Sequence, residues 1–393
     1  MYCLRSFGVA WEIMLTDPFS VGYANSLCLC AENAPAPEHC GAFSANRETG
    51  SDIVLRSLYS THMSNGSSHA SNERSHTSNA RQITRREALL AGACFCSVRA
   101  FAQKATDEAD AFLTEEVAPG IHIRRGVDED VTPKNEDAIA NIGFIVGRDA
   151  VAVIDPGGSL IDGQRLRATI RKATQLPIKY VVMSHVHPDH IFGAPAFQID
   201  KPQFVGHARL PRTLALRADF YTKRLEDTLG KARAGGAVAP TMLVQDHAEI
   251  DLGGRVLTLT AHGTAHTDCD LSVMDRGTGT LLPADLLFVQ RVPSLDGSLR
   301  GWLKELAILK SLPARQAVPG HGPTSVKWPS GASDLERYLG VLLRQTEAAI
   351  SKGTDLEAAV GTVAQSERSR WKLFDDYNGH NVTQAYKELE WEH

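Results

Sequence analysis

The sequence predicts an α/β protein with a helical C-terminal extension. From Phe112 to Pro323, short apolar runs rich in β-branched residues alternate with segments of helical periodicity, which is typical of a mixed α/β domain. From Ser333 to Glu392 the periodicity is helical and strand signals are nearly absent. The length of 393 residues agrees with two or three domains or one large one.

The composition is that of an ordinary globular protein, with 43% hydrophobic and 22% charged residues. The net charge of −5 argues against a nucleic-acid-binding surface, which needs a clustered excess of Lys and Arg. The longest apolar run, Ala88–Val98, is shorter than the roughly 18 residues that span a bilayer. We therefore expect no nucleic-acid partner and no stable membrane span.

The N-terminal part of the chain predicts export and no folded domain. Residues 1–80 lack a sustained apolar period, and we interpret them as a disordered leader or as an extension upstream of the true start. Within residues 81–102, Thr84-Arg85-Arg86-Glu87-Ala88-Leu89-Leu90 is typical of a twin-arginine export motif, and Ala100-Phe101-Ala102 of a cleavage site. This order predicts a signal peptide, a mature chain that begins near Gln103, and a periplasmic location.

The elements of the α/β domain, residues 103–325, follow in chain order. Asn141–Val146 and Ala150–Ile154 predict a β-hairpin, and Tyr180–Met183 predicts a strand buried on both faces. Further elements are a helix at Leu160–Ala173, strands at Val256–Thr260, Leu271–Met274 and Thr280–Leu282, and a helix at Leu303–Leu309. In residues 326–393 we expect three short helices with breaks at Gly353 and Gly379.

The segment Ser184-His185-Val186-His187-Pro188-Asp189-His190 directly follows the Tyr180–Met183 strand. It therefore lies in a loop at the C-terminal edge of a strand, where α/β folds place their sites. Three imidazoles and a carboxylate within six residues are costly to bury without a partner. Because a borderline-soft divalent cation accepts this mixture of nitrogen and oxygen ligands, the segment predicts a metal site.

Three more candidate ligands lie downstream, each after a predicted strand or apolar run. His266 follows Gly263-Thr264-Ala265, Asp285 follows the Thr280–Leu282 strand, and His321 lies in Val318-Pro319-Gly320-His321-Gly322. Each residue alone is typical of a turn or a cap. Their order after the histidine-rich segment makes them candidate ligands of the same site.

With these motifs the chain resembles the metallo-β-lactamase superfamily over about Phe112–Thr324. The resemblance implies an αβ/βα sandwich, two mixed sheets flanked by helices, with the metals at one edge. It also implies two Zn²⁺ ions, with Asp285 bridging them together with a water or hydroxide. The implied ligands are His185, His187 and His266 for one zinc and Asp189, His190 and His321 for the other.

The resemblance also extends to the residues around these ligands. Asp155, in Val153-Ile154-Asp155-Pro156-Gly157, matches an aspartate that orders the site from behind the ligands, or it is an ordinary turn residue. Ala284 stands where the family usually has glycine before the bridging aspartate, which is harmless unless the backbone needs a positive φ. Cys269 is a soft ligand, an oxidisable switch or a small packing residue.

The implied chemistry is hydrolysis. Two cations lower the pKa of a shared water towards neutrality, so that a metal-bound hydroxide attacks an acyl, thioester or lactone-like centre. Asp189 would be catalytic as well as a ligand, by orienting the nucleophile or moving its proton. Asp285 argues against a true β-lactamase, because those enzymes generally lack the bridging carboxylate. A mononuclear iron sulfur dioxygenase, which uses one iron, stays open as an alternative.

A narrower resemblance is to the quinoprotein relay system zinc metallohydrolases, a sulfur-oxidation-related, glyoxalase II-like subgroup. It is carried by Asp285-Leu286-Leu287-Phe288, by residues 292–302 and by Trp371-Lys372-Leu373-Phe374-Asp375-Asp376-Tyr377-Asn378. It implies a small-molecule substrate and association with a periplasmic quinoprotein (PQQ) dehydrogenase system; a non-catalytic accessory role there is disfavoured by the complete ligand set. Arg291, Arg300 and Trp302 are candidate substrate contacts, or Trp302 packs on the core.

Overall fold

In the computed structural model, which describes residues 112–391, two β-sheets pack face to face and helices cover both outer faces. Apolar side chains from both sheets fill the space between them, among them Val182 of the first sheet and Leu257 and Leu259 of the second. The predicted αβ/βα sandwich with a helical extension is therefore confirmed.

The first sheet has seven strands, which lie across the sheet in chain order. They are β1 (Glu115–Ala118), β2 (Ile121–Arg124), β3 (Ile142–Val146), β4 (Val151–Ile154), β5 (Ile178–Met183), β6 (Gln203–His207) and β7 (Met242–Val244). Strands β1 to β4 pair antiparallel, whereas β4 to β7 are parallel. The C-terminal ends of β4 and β5 therefore meet at one edge of the sheet.

The second sheet has six strands in the order β13-β12-β11-β10-β9-β8. They are β8 (His247–Asp251), β9 (Val256–Ala261), β10 (Leu271–Asp275), β11 (Thr280–Phe288), β12 (Gln316–His321) and β13 (Val326–Lys327). All neighbours pair antiparallel except β11 and β12, which are parallel. The parallel pair brings the second half of β11 beside the end of β12.

The helices form the two outer layers. They are α1 (Leu160–Ala173), α2 (Pro188–Ile191), α3 (Leu210–Leu229), α4 (Lys231–Ala234), α5 (Leu299–Lys310), α6 (Ser333–Ser351), α7 (Leu356–Thr362) and α8 (Phe374–Glu390). Helices α1 and α3 pack on the first sheet and α5 packs on the second, whereas α6 packs on α5 and α8 packs on α6. Within residues 112–391, none of the helices combines the length and the apolar character that a membrane crossing requires.

The predicted hairpin, the buried strand and the α1 helix are confirmed, and one predicted strand is longer than expected. Strand β11 continues through Pro283 to Phe288, so Asp285 lies inside a strand and does not follow one. The reason is the pairing with β12, which persists through register shifts on both sides of Ala284. A proline in the sequence does not end a strand whose partner tolerates an irregular register.

The extension contains three α-helices, as predicted, and one of the two predicted breaks is wrong. Gly353 has φ 69° and follows the end of α6, where a residue without a side chain adopts the left-handed region freely. Gly379 lies inside α8. A Cβ at this position would lie 3.3 Å from Cγ1 of Val360, so the glycine allows close packing of α7. This packing outweighs a helix propensity cost of about 1 kcal/mol.

The predicted leader and signal peptide lie outside the described residues.

Candidate metal centre

All seven predicted ligands meet at one edge of the sandwich, and they form two groups whose ligand atoms lie within 4.8 Å of one another. Histidines from the loop after β5 and from the β9–β10 connection meet residues of β11 and β12 there. The first group is His185, His187, His266 and Asp285, and the second group is Asp189, His190 and His321. Within residues 112–391 the predicted ligands thus come together, divided as the resemblance implied except that Asp285 lies with the first group.

The three histidines of the first group point ring nitrogens at a common centre. Nδ1 of His187 lies 3.1 Å from Nε2 of His185 and 3.0 Å from Nε2 of His266. Ligands of a tetrahedral zinc ion at about 2.0–2.1 Å lie roughly 3.3 Å from one another. Three mutually facing ring nitrogens cannot all satisfy one another by hydrogen bonds, because each neutral imidazole carries only one proton. The arrangement therefore fits a cation.

Asp285 lies between the two groups. Its Oδ2 is 3.3 Å from Nε2 of His266 and 3.4 Å from Nε2 of His321, and its Oδ1 is 3.1 Å from Nε2 of His190. Oδ1 of Asp285 and Nε2 of His190 are buried, and apart from their 3.1 Å approach to each other neither makes a hydrogen bond of regular geometry. Buried polar atoms without a partner are costly, and a pair of cations would satisfy both of them. The cluster thus fits a dinuclear metal site.

The opposite nitrogen of each histidine is held by a protein group. Nδ1 of His266 donates to the carbonyl oxygen of Ser294 at 2.7 Å, and Nδ1 of His321 lies 3.0 Å from the carbonyl oxygen of Ile139. Nε2 of His187 lies 3.3 Å from Oδ2 of Asp296. Such bonds fix the ring orientation and leave the inward nitrogen free of a proton, ready to bind a metal.

Asp155 orders one histidine of each group. Its Oδ2 accepts from Nδ1 of His190 and from Oγ of Ser184, both at 2.8 Å, and its Oδ1 accepts from the backbone N–H of Ser184 at 2.8 Å. Since the Ser184 hydroxyl proton goes to Asp155, its oxygen is free to accept from Nδ1 of His185, 2.9 Å away. Asp155 has φ 54°, a region that Asp adopts more readily than most residues.

The electrostatics of the cluster separate neutral histidines from a charged one. Burial lowers the pKa of His266 to about 3 and lowers that of His185 well below its usual value, so both are neutral. Burial also disfavours charge on His190, but Asp285, Asp189 and Asp155 raise its pKa well above the usual value. In the absence of a metal, a proton on His190 thus supplies positive charge that the surrounding carboxylates attract.

Burial alone would raise the pKa of Asp189, but His190 and His321 hold it below its usual range. Oδ2 of Asp189 lies 3.2 Å from Nε2 of His321. Asp189 also lines the cavity described below. Its carboxylate therefore faces both the second ligand group and the space for a substrate.

The backbone around Asp285 is shaped for the carboxylate. Ala284 has φ 49°, in the left-handed region that glycine adopts more readily than any residue with a side chain. Alanine in place of the family's usual glycine therefore strains the backbone before Asp285. On the neighbouring strand, a Cβ at Gly320 would clash with Oδ1 of Asp285. Only glycine at position 320 leaves room for the carboxylate in this position.

A cavity of about 370 Å³ adjoins the metal centre. Its walls come from the loop between β2 and β3, from α3, from the segment after β11 and from α8. Residues that line it include Asp137 and Ile139, Tyr221 and Leu225, Arg291 and Val292, and Tyr377 and His380. The volume suits a small molecule, and the C-terminal extension forms part of the wall.

Of the three predicted substrate contacts, the structure places only Arg291 at the cavity. Its Nη1 lies 3.1 Å from Nδ1 of His321, and its Nη2 donates to the Tyr377 hydroxyl at 3.0 Å. Trp302 is completely buried and donates from Nε1 to the carbonyl oxygen of Leu286, so it packs on the core. Arg300 is exposed and pairs with Glu347 of α6. Of the two alternatives for Trp302, packing on the core is therefore confirmed, whereas the predicted substrate contact is wrong for Arg300.

Cys269 is buried and belongs to the apolar core beneath α1 and α3. Its Sγ lies 3.7 Å from Oγ1 of Thr267, and burial raises the pKa of its thiol. A buried, protonated thiol is neither a ready ligand nor readily oxidised. The structure favours the packing role.

Sequence reasoning missed four residues around the site. Asp296 and Tyr377 lie in stretches that were noted only for their similarity to a subgroup, and Asn381 follows shortly after the second of these stretches. Asp137 is 4% exposed and lines the cavity, and nothing in its sequence context signals this. The sequence around these residues does not indicate a place at the site, because each reaches it through contacts with residues distant in sequence.

Part of the chain is similar to known proteins. Residues 136–321 match the model of the Metallo-beta-lactamase superfamily. A stretch of 67 residues is 34% identical to a linear primary-alkylsulfatase from a Pseudomonas species and covers 17% of this chain and 13% of that one. The segment that matches the family model contains all seven candidate ligands.

The fold is shared with a solved alkylsulfatase structure. The sec-alkylsulfatase Pisa1 from Pseudomonas sp. superposes with a TM-score of 0.55 at 16% identity, over 70% of this chain and 50% of that one. A metallo-beta-lactamase from Pontibacter korlensis gives a TM-score of 0.47 at 18% identity, over 58% of this chain and 98% of that one. The chain spans about half the length of Pisa1 and a smaller part of the primary-alkylsulfatase.

Proposed function

We propose that this protein is a dinuclear zinc hydrolase. The observation that carries the proposal is the position of Asp285 between two groups of buried ligands, next to a cavity of about 370 Å³. The buried Nε2 of His190 and Oδ1 of Asp285, which make no hydrogen bond of regular geometry, support two cations. When bound, two zinc ions would supply a water of lowered pKa and would polarise the bond that is to be broken.

His185, His187 and His266 would hold one ion, and the second ligand group would hold the other. Asp285 would serve both ions, because its carboxylate lies beside histidines of both groups. The imidazoles of the first group suit zinc, which accepts nitrogen and oxygen ligands in tetrahedral sites. A single iron held by two histidines and one aspartate would leave the remaining ligands of this complete set without a function.

The residues of the cavity have distinct tasks in this proposal. Asp189 lies between the second ligand group and the cavity, and we assign it the orientation of the attacking water and the transfer of its proton. Arg291 presents a guanidinium that donates to the Tyr377 hydroxyl and lies beside His321, and it would bind an anionic group of the substrate. Leu225, Phe288 and Val292 provide an apolar wall for the remainder of the molecule.

For the substrate we propose an activated acyl compound such as a thioester or lactone. A sulfate ester is the second candidate, because both alkylsulfatases share sequence or fold with this chain and because Arg291 suits a sulfate group. The two classes differ in the product, which is a carboxylic acid in the first case and inorganic sulfate in the second.

We further propose that the protein is exported by the twin-arginine route and works beside a quinoprotein (PQQ) dehydrogenase system. The support is the order of charged, apolar and cleavage motifs in residues 81–102 and the subgroup resemblance of residues 292–302. Fractionation of cells that express the full chain tests the location, because processing near Gln103 and recovery in the periplasm are expected. An unprocessed cytoplasmic protein would contradict this part of the proposal.

The activity is tested on zinc-reconstituted protein with thioesters, lactones, β-lactams and alkyl sulfates. His187→Ala should abolish turnover, whereas Asp376→Asn, on the exposed rim of the same cavity, should retain most of it. Oxygen uptake with persulfides by an iron-loaded protein would instead support the dioxygenase. Equal turnover by wild type and His187→Ala would show that the cluster does not catalyse the reaction.

A further inference from the structure

We infer that helix α8 is a positioning element for the first ligand group and that Asn381 is the residue through which it acts. The inference rests on the proposed metal centre. Its starting point is a loop, residues 293–296, that touches two of the candidate ligands. We call this segment the bracing loop.

The bracing loop fixes His266 and His187 from behind. The carbonyl oxygen of Ser294 accepts from Nδ1 of His266 at 2.7 Å, and the backbone N–H of Asp296 donates to the carbonyl oxygen of His266 at 3.0 Å. The carboxylate of Asp296 lies 3.3 Å from Nε2 of His187. A displacement of this loop would therefore turn two of the three imidazoles of the first group.

Asn381 holds the bracing loop on both sides of Ser294. Its Oδ1 accepts from the backbone N–H of Leu295 at 2.8 Å, and its Nδ2 donates to the carbonyl oxygen of Pro293 at 2.7 Å. The second Nδ2 hydrogen goes to the hydroxyl of Tyr338, 2.9 Å away. Asn381 is completely buried, so water does not replace any of these bonds.

The pattern requires an amide. Both hydrogens of Nδ2 and the oxygen of Asn381 are used, and an aspartate at this position would retain the acceptor but lose the donor to Pro293. His380, the preceding residue of α8, adds a bond from Nε2 to the carbonyl oxygen of Leu295 at 3.0 Å. Two consecutive residues of the extension thus form hydrogen bonds with the bracing loop.

Asn378 provides a matched control. It lies one turn earlier in α8 and is 2% exposed. Its Oδ1 accepts from the Tyr338 hydroxyl at 2.9 Å, and its Nδ2 donates to the carbonyl oxygen of Val363 at 3.1 Å. These partners all belong to the extension, so loss of Asn378 weakens the packing of α8 without removing a bond to the bracing loop.

The experiment compares Asn381→Ala, Asn381→Asp and Asn378→Ala in the full chain. Zinc affinity is measured by competition with a chromogenic chelator, and the absorption spectrum of the Co²⁺-loaded protein reports ligand geometry. Thermal unfolding of the metal-free proteins measures stability separately. We expect both Asn381 variants to bind zinc about 10- to 100-fold more weakly at one of the two sites and to show a changed cobalt spectrum. Asn378→Ala should lose stability and keep the affinity and the spectrum of wild type.

Two results would overturn the inference while the proposed metal centre stands. The first is unchanged zinc affinity in both Asn381 variants of a protein that binds two zinc ions. The second is an equal loss of affinity in Asn378→Ala, since the effect would then follow general destabilisation. If wild type binds no zinc, the proposed metal centre fails and the inference fails with it. The aspartate variant keeps the size of the side chain and provides the test if the alanine variant does not fold.

Discussion

Replacement of Asp155 by alanine should weaken metal binding at both sites at once. This single carboxylate accepts a hydrogen bond from Nδ1 of His190, a ligand of the second group. Through the hydroxyl of Ser184 it also orders His185, a ligand of the first group. A partner of this kind contributes about 10- to 100-fold to metal affinity, which corresponds to about 1.4 to 2.7 kcal/mol per site.

The assay is a competition titration of wild type and Asp155→Ala with a chromogenic chelator, evaluated for two zinc sites. Asp155→Asn should have an intermediate zinc affinity. Asparagine tolerates the left-handed backbone, but its amide nitrogen cannot accept the hydrogen bonds that the replaced carboxylate oxygen accepts. Asp200→Ala is the control, since that side chain is also 7% exposed or less and pairs only with Arg167 and Arg171 among the described contacts.

The refuting results are specific. If Asp155→Ala binds both zinc ions with the affinity of wild type, the carboxylate does not order the ligands. If Asp200→Ala loses as much affinity as Asp155→Ala, the loss follows stability and not ligand orientation. Circular dichroism of the metal-free proteins separates loss of binding from loss of folding.

Three further predictions follow from individual residues. Ala284→Gly should raise the free energy of unfolding by about 0.5 to 1 kcal/mol in chemical denaturation. Glycine removes the strain of the left-handed backbone, and this gain exceeds the added entropy of the unfolded chain. A lower free energy of unfolding would contradict this. Burial raises the pKa of Asp270 to about 8, so between about pH 4 and 8 the folded metal-free protein holds a proton that the unfolded chain releases. Its unfolding free energy should therefore fall as pH rises, by up to about 1.4 kcal/mol per pH unit, and Asp270→Asn should flatten the profile; an unchanged slope would count against it. Arg291→Lys should raise the KM for an anionic substrate roughly tenfold, since a lysine cannot replace the forked guanidinium, and steady-state kinetics with an unaltered KM would refute the assignment.

The sequence predicted the fold because periodicity and turn residues agree with it locally. Continuous apolar runs predicted strands at β4 and β5, and the helical periodicity predicted α1 with its observed bounds. The length of β11 was not predictable, because its second half depends on pairing with β12, a strand nearly 30 residues later. Gly379 was misread for the same reason, since packing against Val360 decides its conformation.

The candidate ligands were predictable because the histidine-rich segment concentrates costly groups that need a cation. The residues behind them were not, with the exception of Asp155. Asn381 and Asp296 are ordinary polar residues in the sequence, and their contacts to the site arise from the packing of α8 and α3. From the sequence, Arg300 and Trp302 were candidate substrate contacts just as Arg291 was. Both lie at the start of α5, which places them away from the cavity.

Metal content tests the central claim most directly. Protein that begins near Gln103 is purified without chelators, and mass spectrometry counts the metals in wild type and in Asp285→Asn. The account predicts two zinc ions per chain in wild type and a loss of at least one in the variant, because Asp285 lies between both ligand groups. One iron per chain, or two zinc ions retained in full by Asp285→Asn, would contradict the dinuclear centre.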